Sequence, residues 1–544
     1  MRKTILFCSN FYPPNFVGGA ELIAHQQARE LSLRGHEIIV FAGVVDGSAE
    51  RYSMSEDDYE GLTVYRVALT SADYATEGLN FINAAVSHHF RNVLARHQPD
   101  VVHMHNMVGM SLDCVDHARE YGAKTIITLH DHWGFCLKNT LLDSADEICT
   151  DYSRCAECLP SFATQLGDSL PIRLRRDHLF YQLGRADALV CPSVYLVKAY
   201  LRAGFPLAKF RLVRNGIDID RFASVRKTTD RLGRVRFTFI GYLGPHKGVS
   251  VFVDALRYLG DHQAVFLNIV GDGELYQEIE AQVHKHRLED RVRLWGKVDN
   301  DEIEKVYEET DVYVMPSIWP ENAPVTITEA FASSTPVIGS RVGGVPEWVR
   351  DGYNGFLFER RDPIGLANSM KRFIEEPALI GELGAHARET IEAVALEQQV
   401  GKIARIYEEP ARAVGDSPSF AYKVLCIGQR WHADCRDALR RIDERPRYGG
   451  YRFLWGEWLT REQRREADVV WIVDPAATAE ELSGVDLPSI KWLVPREAET
   501  LRESAPRDGW SEVYEGPRDV GAALDAFRRT QSADCEGGLT PRTP

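Results

Sequence analysis

Two acidic residues, Glu321 and Glu329, stand on either side of a run of small and apolar residues in SIWPENAPVTITEAFASSTPVIG, residues 317–339. An apolar strand, DVYVMPS, leads into this segment, and the pattern that follows Pro324 predicts a helix. The first N–H groups of a helix and its dipole favour an anion such as phosphate. Carboxylates instead accept hydrogen bonds from hydroxyl groups. A ligand with hydroxyls on both sides of a phosphate fits this arrangement, and a nucleotide-diphosphate sugar is such a ligand.

Four of the ten cysteines lie together in residues 136–158, CLKNTLLDSADEICTDYSRCAEC: Cys136, Cys149, Cys155 and Cys158. In a reducing compartment, four such thiols ending in a CxxC pair favour a structural, tetrahedral Zn site over disulfides, with an iron–sulfur cluster as the second interpretation. The gap between the first two is not a standard zinc-finger spacing, so ordinary loop cysteines stay an alternative. The six scattered cysteines are expected to fill cores.

The scaffold for these residues is predicted by short apolar strands that alternate with helical patterns such as GGAELIAHQQARELSLRG. This alternation is typical of a parallel, doubly wound α/β sheet. The first set of strands is KTILFCSNF, HEIIVFAG, LTVYRVAL, DVVHMH, KTIITLHD and DALVCPS. The pattern restarts after LVRNGIDIDRF with VRFTFIGYL, AVFLNIVG, RVRLWGKV, DVYVMPS, TPVIGS and GFLF. Two such domains in tandem face each other across a cleft, where ligands of open α/β sheets bind.

A third, smaller α/β unit follows the two domains, with the predicted strands YKVLCIG, YRFLWGEWL, DVVWIVDP and IKWLVP. It contains no catalytic constellation, and we expect its role, if any, to be the binding of another protein. The predicted divisions are a first domain at 1–205, a second at 206–410 whose last helix at about 395–409 returns to the first, a linker at 411–420, the third unit at 421–530 and a disordered tail at 531–544.

Length and composition are those of a folded, multidomain protein. The 544 residues exceed what one hydrophobic core supports, and 44% of them are hydrophobic and 26% charged. A formal net charge of −15 argues against nucleic acid as a main ligand. The N-terminal apolar run of about five residues is too short for a signal peptide, and nowhere do about 18 apolar residues run together. We therefore expect a cytoplasmic protein.

The E-x7-E spacing of Glu321 and Glu329, followed by EAFASSTPVIGSRVGGVPEWVRDGYNGFLF, resembles the retaining glycosyltransferases of family four, which have the GT-B fold. The motifs RNGIDIDRF, FIGYLGPHKG, IVGDGEL and FYPPNFVGGAEL extend the resemblance over about residues 1–410. A similar cysteine set occurs in a subgroup whose members resemble polysaccharide or O-antigen assembly enzymes. The resemblance implies two Rossmann-like domains that transfer a sugar from a nucleotide-diphosphate sugar, with no cofactor required for catalysis.

Carried onto this chain, the resemblance implies three catalytic residues. Glu321 lies beside the transferred sugar, Lys247 of GPHKG neutralises the diphosphate leaving group, and His130, at the end of TIITLHD, faces the sugar from the first domain. Glu329 binds the ribose hydroxyls. Outside this motif, the two glutamates would be interpreted as a solvated loop acid and a helix-start acid.

The resemblance also implies donor contacts made by backbone. Gly18 and Gly19 let the backbone approach the donor phosphate and sugar, although a simple turn is the alternative. Tyr242 stands where the family often has an arginine, so Lys247 carries more of the charge, with Arg214 as a candidate to compensate. The residues whose backbone lies along the sugar and diphosphate are Asn322, Ala323, Pro324, Val325 and Thr326.

Three short patterns of histidines or aspartates resemble metal-binding motifs, but the family resemblance requires no metal at any of them. His130 and His132 of HDHW are separated by one residue at a strand end. The DxD-like stretches are 218–220, which belongs to a domain-boundary motif, and 299–301, which we interpret as a helix N-cap.

The acceptor is expected on the first domain. After the cysteine loop, its least generic segment is LPIRLRRDHLFYQLGRA, which carries Arg173, Arg175 and Arg176. Two interpretations stay open: a packed helix with one basic solvent face, or a peripheral contact with the inner face of an anionic membrane. A glycan or lipid-linked glycan of a cell-surface polysaccharide or O-antigen is the expected acceptor class.

Two other functions would use the same fold. A GT-B epimerase would act on a nucleotide sugar, but it would lack the E-x7-E arrangement and need acid and base residues flanking the sugar. The other is a non-catalytic, nucleotide-sugar-binding scaffold that interacts through its third domain. The joint presence of Glu321, Glu329, Lys247 and His130 argues against a decayed site.

Overall fold

A computed structural model describes most of the chain. The described residues are 2–16, 18–163, 169–260, 264–411 and 422–428, with shorter pieces at 431, 435, 439, 451–459, 463–464, 467–473 and 491–493. The predicted linker beyond residue 411 and the predicted tail at 531–544 lie outside the described residues.

The first domain is built on an eight-stranded sheet of order β10-β9-β6-β5-β1-β2-β4-β3. Its strands are β1 Thr4–Ser9, β2 Glu37–Val45, β3 Met54–Tyr59, β4 Leu62–Leu69, β5 Val101–Met104, β6 Lys124–Thr128, β9 Ala188–Cys191 and β10 Phe210–Leu212; a separate pair is β7 Ser161–Ala163 and β8 Ser169–Pro171. All ladders in the large sheet are parallel except β3 with β4. The six predicted strands are confirmed. Strands β3 and β10 were not predicted, because MSEDDY is largely acidic and FRL is too short to show a pattern.

Helices surround this sheet, as the alternating pattern predicts. They are α1 Gly19–Leu33, α2 Ser71–Ala75, α3 Glu77–Phe81, α4 Ala84–His97, α5 Cys114–Glu120, α6 Cys155–Cys158, α7 Ile172–Arg185 and α8 Val194–Arg202.

The second domain has a six-stranded, fully parallel sheet of order β13-β12-β11-β14-β15-β16. Its strands are β11 Val235–Ile240, β12 Val265–Val270, β13 Val292–Gly296, β14 Val312–Met315, β15 Val337–Ser340 and β16 Gly355–Phe358. The helices are α9 Ile219–Ala223, α10 Val249–Ala255, α11 Tyr276–Lys285, α12 Ile303–Glu308, α13 Val325–Ala332, α14 Pro363–Glu375 and α15 Ala378–Ile391. The six predicted strands of this domain are confirmed.

The chain passes twice between the two domains, and the two crossings are bonded to each other. Ile217 N donates to the Val394 carbonyl at 3.2 Å, and Leu396 N donates to the Ile217 carbonyl at 2.9 Å. The last helix, α16 Leu396–Glu408, then lies against α1 of the first domain. Its Tyr407 hydroxyl is 2.7 Å from His103 Nδ1, on β5.

The third unit has a parallel sheet of order β18-β17-β19-β20, formed by β17 Tyr422–Ile427, β18 Tyr451–Trp455, β19 Val469–Ile472 and β20 Lys491–Leu493. The sheet packs on α7 of the first domain. Phe453 N donates to Asp177 Oδ2 at 3.0 Å, and the ring centroids of Trp458 and Phe81 are 4.5 Å apart.

This contact corrects the expectation of a basic surface on α7. Arg173 and Arg175 are only 4% and 1% exposed, and Arg176 is half-buried. Arg173 Nε lies 3.0 Å from Asp177 Oδ2, and Arg175 Nε lies 3.0 Å from Glu77 Oε1. Arg173 and Arg175 therefore face carboxylates inside the protein and not solvent.

Five of the six scattered cysteines are buried, as expected: Cys8, Cys114, Cys191, Cys426 and Cys435. The sixth, Cys535, lies outside the described residues. Within the described ranges, no helix combines the length and the apolar character that crossing a bilayer demands.

Candidate active site

The two acids of the opening segment lie at the carboxyl end of β14. This strand is followed by a loop that carries Glu321 and then by α13, which begins after Pro324 and carries Glu329. Proline suits this position because its φ near −65° is compatible with a helix start; here φ is −68°. Both carboxylates are buried, at 5% and 8% exposure, so neither is a solvated surface acid.

Glu321 is held by three donors that all reach its Oε1 atom. Ser317 Oγ donates at 2.6 Å, Trp319 Nε1 at 2.7 Å and Lys247 Nζ at 2.8 Å. Burial raises the pKa of this carboxyl, but the Lys247 charge and the three hydrogen bonds outweigh it and the pKa is lowered. Glu321 is therefore an anion at neutral pH, and within the described residues its Oε2 atom has no hydrogen-bond partner.

Lys247 is brought to Glu321 by a tight turn after β11. Gly248 has φ +70°, and a Cβ placed there would lie 2.0 Å from the Pro316 carbonyl oxygen, so only glycine fits. The turn is bonded to the same loop through the His246 carbonyl, which accepts from Ile318 N at 2.9 Å. Lys247 and Glu321 therefore lie side by side although 74 residues separate them.

A second glycine lets another loop close on Glu321. Gly343 has φ +54°, and a Cβ there would lie 2.2 Å from the Glu321 carbonyl oxygen. The next residue, Gly344, donates its N–H to that carbonyl at 2.6 Å. The glycine pair of SRVGGVPEW therefore supports the backbone of the loop that carries Glu321. This role was not predicted from the sequence.

Glu329 has a different environment. Its Oε2 accepts from the Tyr307 hydroxyl at 3.1 Å. Burial raises the pKa of this carboxyl to about 7, although the Tyr307 hydrogen bond and the Arg221 charge lower it. Arg221 belongs to the RNGIDIDRF motif and is itself paired with Glu304. Glu329 is therefore near its midpoint of titration at neutral pH.

Two helix N-termini meet across the cleft. A Cβ placed on Gly19, the first residue of α1, would lie 3.1 Å from Val325 Cγ2, the first residue of α13. Each terminus offers backbone N–H groups and the positive end of a helix dipole. Gly18 precedes α1, and its N–H donates to Glu21 Oε2 at 3.0 Å. The structure thus brings the glycine pair of the first domain to the segment that the second domain contributes.

The backbone between the two acids is anchored from several sides. The Ala323 carbonyl accepts from Asn215 Nδ2 at 3.4 Å, and Thr326 Oγ1 accepts from the Tyr313 hydroxyl at 2.7 Å. Asn322 is buried, and its Oδ1 has no partner among the described residues. A buried amide oxygen without a donor is costly, so it indicates a position where a ligand or water supplies one.

Tyr242 and Arg214 are the two positions from which a second positive charge in the site was considered. Tyr242 is 51% exposed and its ring lies 6.1 Å from the His246 ring, so the position contributes an aromatic surface and no cation. Arg214 lies over the Trp348 ring and pairs with Glu347 at 3.0 Å. It is thus committed to an ion pair, although its Nη1 has no partner within the described residues.

Glu347 links the two domains and was not predicted. Besides Arg214, its carboxylate accepts from Val194 N at 3.0 Å and Tyr195 N at 2.6 Å, which are the first residues of α8. The carboxylate caps a helix of the opposite domain, where the dipole favours a negative charge. The only sequence signal was its place after a glycine pair and a proline.

His130 lies two residues beyond β6, as expected. Its Nε2 is 2.9 Å from His105 Nδ1, and burial lowers the pKa of His130 to about 4. His132 Nδ1 bonds to the Asn139 carbonyl at 3.1 Å. Of the DxD-like stretches, Asp218 caps α9 through its side chain, whereas Asp299 makes no such bond.

The cysteine loop reaches across the cleft. Leu142 and Ile148 form an antiparallel bridge, so residues 141–149 make a short hairpin, and Ile148 packs on the core of the second domain. At its tip, the Asp146 carbonyl accepts from Arg360 Nη1 at 3.1 Å, and Glu147 pairs with Arg361 at 3.2 Å. The sequence offered no signal for this contact, which joins charged residues more than 200 positions apart in the chain.

The four loop cysteines are half-buried. Burial raises the pKa of the Cys149 thiol, and the neighbouring thiols of Cys136 and Cys158 raise it further. Nevertheless, in the part of the chain that the structure describes, no three Cys, His, Asp or Glu side chains are arranged as a ready ligand set. The Zn site therefore stays a prediction.

Comparison with known proteins identifies the families that the two domains resemble. A family model described as Glycosyltransferase Family 4 matches residues 17–221, and one described as Glycosyl transferases group 1 matches residues 220–390. A glycogen synthase of Mycobacterium tuberculosis is 25% identical over 406 residues, which are 71% of this chain and 90% of that one. An Escherichia coli UDP-Gal:alpha-D-GlcNAc-diphosphoundecaprenol alpha-1,3-galactosyltransferase is 31% identical over 184 residues, which are 31% of this chain and 46% of that one.

Solved structures agree on the fold. Anabaena HepE in complex with UDP superposes with a TM-score of 0.53 at 18% identity, over 75% of this chain and 100% of that one. The two family models follow one another with their junction at the chain crossing near Ile217, and each contributes one wall of the cleft described above. Residues 17–390 are therefore a pair of glycosyltransferase domains, and the chain is a glycosyltransferase of the GT-B fold.

Proposed function

We propose that this glycosyltransferase moves a sugar from a nucleotide-diphosphate donor to a glycan or lipid-linked glycan, with retention of anomeric configuration, in cell-surface polysaccharide or O-antigen synthesis. The observation that carries the proposal is the Lys247–Glu321 ion pair. It puts a cation and a fixed anion in the segment that leads into α13, whose N-terminus faces that of α1. The names of the relatives support the donor and acceptor classes, because one acts on UDP-galactose and a diphosphoundecaprenol lipid.

The cation and the helix N-termini suit the leaving group. When the bond between the anomeric carbon and the phosphate oxygen breaks, the diphosphate gains charge, and Lys247 and the N–H groups at Gly19 and Val325 stabilise it. The ammonium group has three donors, and Glu321 uses one of them. Lys247 therefore has donors left for phosphate oxygens without releasing Glu321.

Glu321 suits the positive charge that develops on the sugar. Its carboxylate is fixed by three donors and kept ionised, so it is better placed to stabilise a cationic transition state than to take up a proton. In the proposed front-face reaction, the acceptor hydroxyl oxygen bonds to the anomeric carbon on the face that the phosphate leaves. Its proton passes to the departing phosphate oxygen, so no protein base is needed.

Catalysis in this proposal needs no metal, because Lys247 and the two helix N-termini carry the diphosphate charge. Full transfer activity in excess chelator is the expected result, once circular dichroism has shown that the fold survives. Activity that disappears with chelator and returns with Mg²⁺ or Mn²⁺, with the fold intact, would contradict this.

The function is tested by incubating the protein with UDP-, GDP-, dTDP- and ADP-sugars, with and without a polyprenyl-diphosphate glycan acceptor. We expect one donor to be hydrolysed slowly alone and to be consumed faster with acceptor, and NMR of the product to show the donor's anomeric configuration. Conversion of the sugar without any acceptor product would identify an epimerase. Binding of a donor without turnover under any condition would identify a scaffold.

A further inference from the structure

A row of imidazole rings connects the core of the first domain with the cleft. His103 is on β5, His105 follows that strand directly, and His130 follows the neighbouring strand β6. The ring centroids of His103 and His105 are 4.5 Å apart, and those of His105 and His130 are 5.1 Å apart and stacked. His103 and His105 are buried, and His130 is half-buried beyond the carboxyl end of β6. Ligands of open α/β sheets bind at this edge, so the row is directed toward the cleft.

The orientation of His105 is fixed by its surroundings. Its ring stacks on Phe7 of the neighbouring strand β1 at 5.6 Å and lies against His103 of β5, the strand that His105 follows. His103 is itself held at both nitrogens, by the Tyr407 hydroxyl and by Thr128 Oγ1, each at 2.7 Å. His105 therefore offers its Nδ1 to His130 Nε2 from a rigid position, at 2.9 Å.

The hydrogen bond between His105 Nδ1 and His130 Nε2 can be donated by either ring. The surroundings of His105 Nε2 indicate which ring is the donor. His105 Nε2 is buried and has no partner in the part of the chain described. If His130 Nε2 donated the proton, the neutral His105 would carry its own proton on that enclosed Nε2. Orphaned buried N–H groups are rarer than orphaned acceptors, so the favoured arrangement puts the proton of His105 on Nδ1.

We propose that His105 is a positioning residue that donates from Nδ1 to His130 Nε2 and thereby leaves the proton of His130 on Nδ1, as a hydrogen-bond donor to an oxygen of the transferred sugar. His130 Nδ1 has no partner within the described residues, which leaves it available for such a bond. Burial lowers the pKa of both histidines, which agrees with neutral rings that carry one proton each. The proposal rests on the proposed sugar-transfer function.

Two substitutions separate this role from packing. His105→Phe keeps a ring against Phe7 and His103 and removes the orphaned nitrogen, so we expect an unchanged or higher Tm. We expect kcat to fall about tenfold, the size of effect that one ordinary hydrogen bond supports, with the donor KM changed less than about twofold. His105→Asn places an amide N–H near the Nδ1 position and is expected to stay within about threefold of the wild-type kcat.

A matched control is His178→Phe. His178 is also fully buried among aromatic rings, with neither ring nitrogen partnered in the described part of the chain, but it lies between Phe81 and Trp458. This variant is expected to keep the wild-type kcat. Equal losses of kcat in the two phenylalanine variants would overturn the proposal, since they would indicate a general packing effect.

The tautomer is read directly by NMR of the substrate-free, full-length protein labelled with ¹⁵N at histidine, with His130 assigned from a His130→Gln spectrum. We expect a protonated Nδ1 and an unprotonated Nε2 on His130, and a mixture of tautomers in His105→Phe. A protonated Nε2 in the wild-type protein, or unchanged kcat in His105→Phe, would overturn the role of His105. A wild-type protein without transferase activity would instead overturn the proposed function, and the NMR result would still decide the tautomer.

Discussion

At the scale of single residues, the two acids of one segment are prepared for different tasks. Glu321 receives a cation and two neutral donors on one oxygen, and its pKa is lowered. Glu329 receives one phenol, and burial raises its pKa to about 7. The difference follows from their partners, because both carboxylates are almost fully buried. The ionised Glu321 suits a developing cation. Glu329 has few partners, so ribose hydroxyls can donate hydrogen bonds to it.

Replacing each acid by glutamine should therefore change different kinetic constants. We expect Glu329→Gln mainly to raise the donor KM, by the equivalent of about 1–3 kcal/mol, because it removes a charged hydrogen-bond acceptor remote from the reacting carbon. We expect Glu321→Gln to lower kcat more than it raises the donor KM. Steady-state kinetics of both variants, with circular dichroism to confirm folding, tests the pair. An unchanged KM in the first and an unchanged kcat in the second would show that neither acid has its proposed role.

Donor binding should also depend on pH through Glu329. Only the carboxylate form accepts two hydroxyl hydrogen bonds, so we expect the donor KM to rise as the pH falls through about 7. The substrate-free protein should show the opposite trend in stability. Because the folded-state pKa is raised, this group favours folding below the ordinary value of 4.5, and that contribution is lost as the pH rises through about 7.

Glu329→Gln is the control for both trends, since a glutamine does not titrate. The donor KM and the urea midpoint are measured across this pH range for the wild-type protein and the variant. A pH dependence of the KM that persists unchanged in the variant would assign it to another group.

At the scale of elements, the hairpin of residues 141–149 joins the cysteine loop to the donor side of the cleft. Arg360 donates to the carbonyls of Asp146 and Ile318, so this side chain joins the hairpin tip to the loop that carries Glu321. Three of the loop cysteines, Cys136, Cys149 and Cys155, pack against the core of the first domain beside the hairpin. Whatever holds these cysteines together therefore also affects how the two domains meet.

We predict that the four cysteines hold one Zn²⁺, and that loss of a ligand loosens residues 136–158 without emptying the donor site. Elemental analysis of anaerobically purified protein should give about one equivalent of Zn, and Cys155→Ser should lose it. Cys191→Ser, in a buried thiol away from the loop, is the control for non-specific effects. Less than about a tenth of an equivalent of any transition metal would refute the site, whereas iron with visible absorbance would indicate an iron–sulfur cluster.

At the scale of the whole molecule, the third sheet is part of the first domain's core. Its aromatic residues, including Phe453 and Trp458, belong to the same buried cluster as the residues of α7. Asp177 sits at this junction, where it faces Arg173, Arg176 and Arg452. Burial raises its pKa, but the three guanidinium charges and the Phe453 N–H outweigh this and the pKa is lowered. The junction is therefore held by charge as well as by apolar packing.

Removing that charge should destabilise the protein. We expect Asp177→Asn to reduce the free energy of unfolding by about 3 kcal/mol, because it leaves buried guanidinium groups without their carboxylate. Urea denaturation measures the loss, and limited proteolysis shows whether the third sheet separates first. Glu157→Gln, which breaks an exposed pair with Arg154, is the control and should have no measurable effect. Equal stability of the two variants would mean that apolar contacts alone hold the sheet.

Twelve strands of the two main sheets were predictable because they are short runs of apolar, β-branched residues between polar segments. The acidic strand β3 was not, because its formation depends on pairing with β4 and not on its own pattern. The family resemblance implied that Lys247 and Glu321 lie in one cleft, but it did not give their 2.8 Å contact.

The sequence by itself determined the two α/β domains, the cleft between them and the segment that carries both acids, because periodicity and turn residues act over a few neighbours. Only the tertiary structure decided that the pKa of Glu321 is lowered while that of Glu329 is raised to about 7, that Arg173 and Arg175 are buried, and that Glu347 and the hairpin connect the domains. Desolvation and charge pairing depend on groups brought together from distant parts of the chain, such as Arg173 and Asp177 with Phe453. Their energies are properties of the packed molecule and not of any local pattern.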